Sequence, residues 1–513
     1  MKIRLILLTA ILVISLCPSP AFAAGKSADQ GNVLIVSEDR SSGALRSKDL
    51  QFISNLVMAH GEKVTLLGID QLTRQKLKNF DRIIYLANGY ADRRQKRILY
   101  DGIEQQRSAF LQIGGPLPKA FRQRMGLRLE DQQASIGRLE LTHKGVAQMV
   151  SLKRCRLIAA GNGSLTGRFT HPDGPIRYTG ILNKGQRLGY LSETDSRSIQ
   201  SAIVSELLAK WLNKEAQQGK IYLTLTNITP FSDFRKLTRL ADELHDQGIP
   251  YLVIAQPVTS NLNSAAMKRY AAMLNYLQSR NGTLFIGAPF VYGVTHEDDQ
   301  LLEKLMSVFV RRLTQQQIAP LGFAAENYWL FDKDYQRESL KAFHSLIILP
   351  NQENLMWRNR SSSSLVMGAI IPSMSLQQVI RSSWKQKELE HSSVSLALTI
   401  NVDKLLSRPS EKAFEKLLYQ SNLSFDDYRQ TVLRFRTYGQ IIRSDGWTIS
   451  INGQPINQTR TEQPSPLREQ KKEKKSLGSP HKMLILIFSI ILMLFILFII
   501  IGRTYYKNKY KRE

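Results

Sequence analysis

The sequence predicts an α/β chain with an N-terminal parallel-sheet domain, a small β-rich insert, an incomplete (β/α) barrel and one C-terminal transmembrane helix. Three observations carry this reading. Strand-like runs rich in β-branched residues alternate with helical patterns over residues 31–130 and again over 220–451. Between them, residues 135–200 show period-two alternation broken by turn signals. Near the end, Met483 to Ile501 is an unbroken apolar run of 19 residues. At about 1.5 Å per residue such a run spans roughly 28 Å, close to the ~30 Å hydrocarbon core of a bilayer.

Length and composition set the bounds. The chain has 513 residues, enough for two or three domains, with 43% hydrophobic and 22% charged residues. The net charge of +27 is unusual and favours anionic polymers or anionic surfaces. Met1-Lys2-Ile3-Arg4, an apolar stretch to Cys17 and the Ala21-Phe22-Ala23 box read as a secretory signal over 1–24. The exported chain then carries one cysteine, Cys155, so there is no disulfide framework and no cysteine metal site. Export, and the lack of any recognition motif, exclude nucleic acid as a partner.

In chain order, 25–134 form the first domain. Strands are predicted at 32–36, 64–67, 81–86 and 109–113, with helices over 45–60 and 91–105. The pattern resembles flavodoxin-like (Rossmann-like) or glutamine-amidotransferase-like domains. Ile113-Gly114-Gly115-Pro116 lacks the cysteine of the second family, and no Gly-x-Gly-x-x-Gly follows the first strand. This domain is expected to be a scaffold or a binding unit. Residues 135–215 follow as a β-rich linker domain ending in a helix over 196–214.

The barrel is expected over 216–453. Lys220 to Val258 is its clearest unit: a strand at Ile221–Leu225, a helix capped by Ser232 or Asp233 and ended by Gly248, then a strand at Ile249–Ile254. Ligands in α/β folds sit beyond the carboxyl ends of such strands. Thr226-Asn227 and Gln256-Pro257 are therefore expected to share a cleft. Further strands are predicted at 283–286, 321–323, 346–349, 366–371 and 395–400, with helices over 263–279, 298–315, 410–420 and 425–443 and a last strand at 447–451. Residues 454–482 read as a disordered basic stalk whose Lys471 to Lys475 run can hold membrane lipid headgroups. A transmembrane helix at 483–502 and a basic cytoplasmic tail at 503–513 complete the expectation: a cell-membrane, single-pass protein with its bulk extracytoplasmic.

Pro230-Phe231-Ser232-Asp233, Gly248-Ile249-Pro250 and Met267-Lys268-Arg269-Tyr270 resemble the polysaccharide deacetylase (NodB-homology) superfamily, and within it a membrane-linked branch, the YdaL-like proteins. The resemblance covers about Lys220 to Asn452. It implies a divalent metal held by an Asp and two His, a second Asp as base and a further His as acid. The matching positions lack those groups. Thr226-Asn227 stands for Asp-Asp, and Ile286 to Tyr292 carries no imidazole where His-Gly-x-x-His is expected. Ala325-Glu326-Asn327-Tyr328 and Asn401-Val402 stand at the two later motifs. The expectation is no catalytic residue and no cofactor, with Thr226, Asn227, Gln256, Tyr292, Asn327, Tyr328 and Asn401 as candidate sugar-binding residues. The implied role is binding or guiding a cell-surface polysaccharide, an anionic one being favoured by the basic charge, as accessory to exopolysaccharide synthesis or export. Two alternatives remain open. One is an active deacetylase holding a divalent metal such as zinc through Asp233, Glu326 or His296. The other is a structural partner of a membrane-bound polysaccharide synthase.

Overall fold

The structure is a computed structural model. It describes residues 31–456, apart from 39–46, 88, 143, 173, 186, 194–198, 215–217, 290–300, 382–390, 406–413 and 415–422, together with 488–503. The expected signal segment, the basic run, the helix over 410–420 except Phe414, and the tail from 504 lie outside the described residues.

The first sheet has eleven strands. β1 (Asn32–Ser37), β2 (Lys63–Gly68), β3 (Arg82–Leu86), β4 (Ala109–Ile113) and β11 (Leu188–Leu191) form its parallel half, in the order β2-β1-β3-β4-β11. Their apolar runs are buried on both faces, which is why they read as continuous hydrophobic stretches. β10 (Arg177–Asn183), β9 (Gly163–Thr170), β6 (Ser135–Leu141) and β7 (Val146–Leu152) extend the same sheet antiparallel, and β5 (Arg128–Gln132) and β8 (Cys155–Ala160) pair beside them. One continuous sheet thus runs through both the 25–134 and the 135–215 spans. Local chemistry sets the helix starts. Ser47 caps Lys48–Ala59, and Asp92 with Gln95 makes a reciprocal capping box at the head of Arg93–Gln106.

Seven parallel strands form a closed barrel: β12 (Ile221–Ile228), β13 (Tyr251–Ala255), β14 (Gly282–Gly287), β15 (Pro320–Glu326), β16 (Ser345–Leu349), β17 (Ala369–Ser375) and β18 (Leu396–Asn401). β18 pairs back onto β12 from Ile221↔Leu396 to Thr226↔Asn401, so the ring is complete with seven strands. Helices Phe234–Asp246, Ala265–Ser279 and Leu301–Thr314 cover the outside of its first half. The region between β16 and β17 has no such helix among its described residues. There Lys48–Ala59 of the N-terminal unit packs on β17, with Ile53, Leu56 and Val57 in one core with Ile348 and Ile370. In return, the β16–β17 connection pairs with the edge of β2. Leu66 N–H donates to Ser362 O at 2.8 Å, Ser364 N–H to Val64 O at 2.8 Å, and Val64 N–H to Ser364 Oγ at 3.0 Å. Each unit therefore completes the other.

The amino end of the barrel is shut. Residues expected as a helix over 425–443 instead form the hairpin β19 (Leu433–Thr437) and β20 (Gln440–Ser444), turned at Tyr438 and Gly439, both with positive φ. β21 (Ile449–Ile451) and β22 (Gln454–Pro455) complete a four-stranded antiparallel sheet. The correction has a physical cause: Leu433 to Thr437 alternates buried and exposed positions with period two, not 3.6. Leu433, Ile442, Ile449 and Ile451 enter the core inside the barrel, and Tyr428 packs its ring against Tyr222 and Phe285. Residues 454 and 455, expected to begin the stalk, are the last strand of this sheet.

The transmembrane expectation is corrected as well. Residues 488–503 are helical, but among the described residues no helix is long and apolar enough to cross a membrane. The single-pass, membrane-bound placement falls with that helix.

Candidate functional site at the barrel mouth

With the amino end plugged, the carboxyl ends of the strands form the other end of the barrel, and alternation fixes which side chains face in. Tyr222, Ile254, Phe285, Ala324, Ile347, Ile371 and Ala397 belong to the interior core. Two residues further along the same face, or four on β12 and β18, stand Thr226, Gln256, Gly287, Glu326, Leu349, Ser373, Thr399 and Asn401. This inner rim is made mostly of uncharged hydrogen-bonding groups, with Glu326 its one carboxylate.

Each group is held. Thr226 Oγ1 donates to Ile400 O at 3.2 Å, and Thr399 Oγ1 to Met374 O at 3.3 Å. Asn227 takes a left-handed φ of 65°, which asparagine tolerates, and its amide donates to Asp403. Asn401 Oδ1 accepts from Lys404 N–H at 3.3 Å and caps the short helix Val402–Leu405. The Gln256 backbone is fixed from both sides. Its N–H donates to Ile228 O at 2.9 Å, and Tyr270 OH donates to its carbonyl at 3.0 Å. Its side-chain Oε1 is buried without a partner, as is Ser373 Oγ. Glu326 accepts from Gln352 N–H at 3.0 Å. Burial raises its carboxyl above the usual carboxylate range, and that hydrogen bond partly offsets the rise.

The sequence candidates separate into three sets. Thr226, Asn227, Gln256 and Asn401 lie at the mouth. Asn327 and Tyr328 do not. Asn327 is fully buried, with its amide donating to Asn55 of the N-terminal unit. Tyr328 is 5% exposed, packed edge-on against Trp357 and Tyr335. Tyr292 and His296 lie outside the described residues. Asp233 is an exposed helix cap whose Oδ1 accepts from Arg235 N–H at 3.1 Å and Lys236 N–H at 3.3 Å. Sequence reasoning missed Asp403, Ser373 and Thr399. Counting by twos from Ile371 and Ala397 would have found the last two.

Among its described residues the mouth does not offer the donor set that the resemblance implies for a metal. Hydroxyl and carboxamide groups stand at the first and last strands, where Asp and His are expected. Among the described residues no group of three or more His, Cys, Asp or Glu is placed to hold an ion. The geometry can instead orient a polar ligand over a closed-bottom barrel.

A scan against protein-family models found no match, and a search of curated proteins found none. Among solved structures, the chain is similar to the crystal structure of Agd3, described as a novel carbohydrate deacetylase. The TM-score is 0.32 and the identity 11%, over 72% of this chain and 79% of that one.

Proposed function

We propose that the barrel mouth binds a polysaccharide chain and does not hydrolyse it. The observation that supports this reading best is the inner rim itself. Thr226, Gln256, Ser373, Thr399 and Asn401 present hydroxyl and amide groups, with two polar atoms, Gln256 Oε1 and Ser373 Oγ, left without protein partners. Such uncharged donor and acceptor pairs suit sugar hydroxyls. The net charge of +27 favours an anionic polymer among the sugars.

The test is a glycan-binding screen on the purified full-length chain, repeated with Gln256→Ala and Asn401→Ala. Saturable binding of an oligosaccharide, weakened about tenfold or more by either change, is the expected result. Glu326 favours a second reading, because a carboxyl with a raised pKa can serve as an acid. The same samples are therefore assayed for acetate release with and without zinc. Release that disappears in Glu326→Gln would replace the binding reading with a hydrolytic one. No saturable binding to any glycan would overturn the proposal.

A further inference from the structure

A cavity of about 620 Å³ opens at the carboxyl ends of β3, β4 and β11, well away in sequence from the barrel. This edge of a parallel sheet is where α/β folds take ligands. Three features show that the cavity is built.

The first is the turn after β4. Gly114 and Gly115 both adopt left-handed φ, 74° and 62°, and a Cβ on Gly115 would meet Ala87 Cβ at 2.7 Å. Fully buried Gln112 donates to Gly114 O at 3.0 Å and to Pro116 O at 3.1 Å. Tyr190, also fully buried, donates to Gly115 O at 3.1 Å. Three consecutive carbonyls are thereby turned into the protein and the turn is locked. The second feature is Ser192 at the end of β11. It lines the cavity, is 4% exposed, and its hydroxyl has no hydrogen-bond partner. A buried hydroxyl left this way is destabilising unless a water or a ligand completes it. The third is charge. Arg156 is paired with Asp131 at 2.9 Å. Lys153 and Arg154 line the cavity as exposed cations with no acidic partner among the described residues. Asp49, in the first turn of Lys48–Ala59, and Glu193 also line it, which disfavours a polyanion. Burial, then Glu193, pushes the Cys155 thiol up to about 12, which disfavours the thiolate.

We propose that this cavity binds a small polyhydroxylated anion. Its carboxylate or phosphate would meet Lys153 and Arg154, and a hydroxyl would meet Ser192. The site is independent of the barrel mouth. The test is calorimetric titration of the full-length chain with glucuronate, glucose 6-phosphate, inorganic phosphate and neutral glucose. Saturable binding of glucuronate or of glucose 6-phosphate, at least tenfold tighter than glucose, is expected, and the better of the two identifies the anionic group. Lys153→Ala with Arg154→Ala should weaken binding at least tenfold. Ser192→Ala should weaken it at least fivefold while leaving the melting temperature unchanged or higher, because it removes an unpartnered group. Inorganic phosphate binding as tightly as glucose 6-phosphate, with glucuronate not binding, would overturn the polyhydroxylated assignment. No saturable binding of any anion, or an affinity untouched by Ser192→Ala, would overturn the site.

Discussion

Tyr428 meets Phe285 edge-on, with ring centroids 5.1 Å apart and planes at 75°, and so carries the closing sheet into the barrel's interior. Its hydroxyl donates to the buried Ser345. Tyr428→Ala should cost about 3–5 kcal/mol by opening a void between Tyr222 and Phe285. Tyr428→Phe should cost about 1 kcal/mol, since only the hydroxyl contact is lost. Urea unfolding of the two variants measures the difference, and equal losses would mean that packing is not what the ring contributes.

Acid should weaken the fold through His60. Burial, then Lys214, lowers its pKa from 6.5 to about 4, and its Nε2 is buried without a partner. The unfolded chain therefore binds the proton more readily than the folded one. Stability from this group is complete above about pH 6.5 and falls as pH drops towards 4. By pH 4.5 the loss is about 2 kcal/mol. Comparing denaturant midpoints at pH 7 and pH 4.5 should show a shallower fall for His60→Gln than for the wild type.

Gly287 leaves room for Gln256. A Cβ at Gly287 would stand 3.1 Å from the Gln256 amide nitrogen, and the flexible end of that side chain would have to give way. Gly287→Ala is expected to weaken glycan binding about tenfold while changing stability by less than about 1 kcal/mol. Titration with the best oligosaccharide from the screen, alongside a melting curve, separates the two effects. A large drop in melting temperature would assign the glycine to the fold instead.

The exchange of Lys48–Ala59 for the 361–365 segment makes the two units one cooperative body. Full-length protein should give a single calorimetric transition, with the van't Hoff enthalpy equal to the measured one. Residues 216–456 produced alone would expose the face of Ile348 and Ile370 and should aggregate. Two separate transitions in the full chain would contradict this.

The strand cores were legible because parallel strands buried on both faces, such as Tyr251–Ala255, read as unbroken apolar runs. The chain ends of those strands were legible too, which is how Thr226, Gln256 and Asn401 were found. Which residues near an end face inward was not read. Asn327 and Tyr328 follow Glu326 directly, yet lie in the short 3₁₀ segment Asn327–Phe331, where alternation has already ended. The 425–443 stretch reads as a helix because Phe425, Tyr428, Val432, Phe435, Tyr438 and Ile442 also fit a helical stripe, while the Tyr438-Gly439 turn is what makes it a hairpin. The docking of Lys48–Ala59 on β17 left no local trace. An amphipathic pattern tells that a face is covered, not by what.

The pairing on β2 also sets a clock. Val64 bonds to Ser364, 300 residues further along the chain. At about 5–20 residues per second of synthesis, roughly 15–60 s pass between the two emerging from the ribosome. Throughout that interval β2 is an open sheet edge, the kind of template that recruits strands from other chains. The nascent protein therefore has a window of vulnerability that the finished one does not. Slower translation downstream of β4 should widen that window, and yield should fall with it.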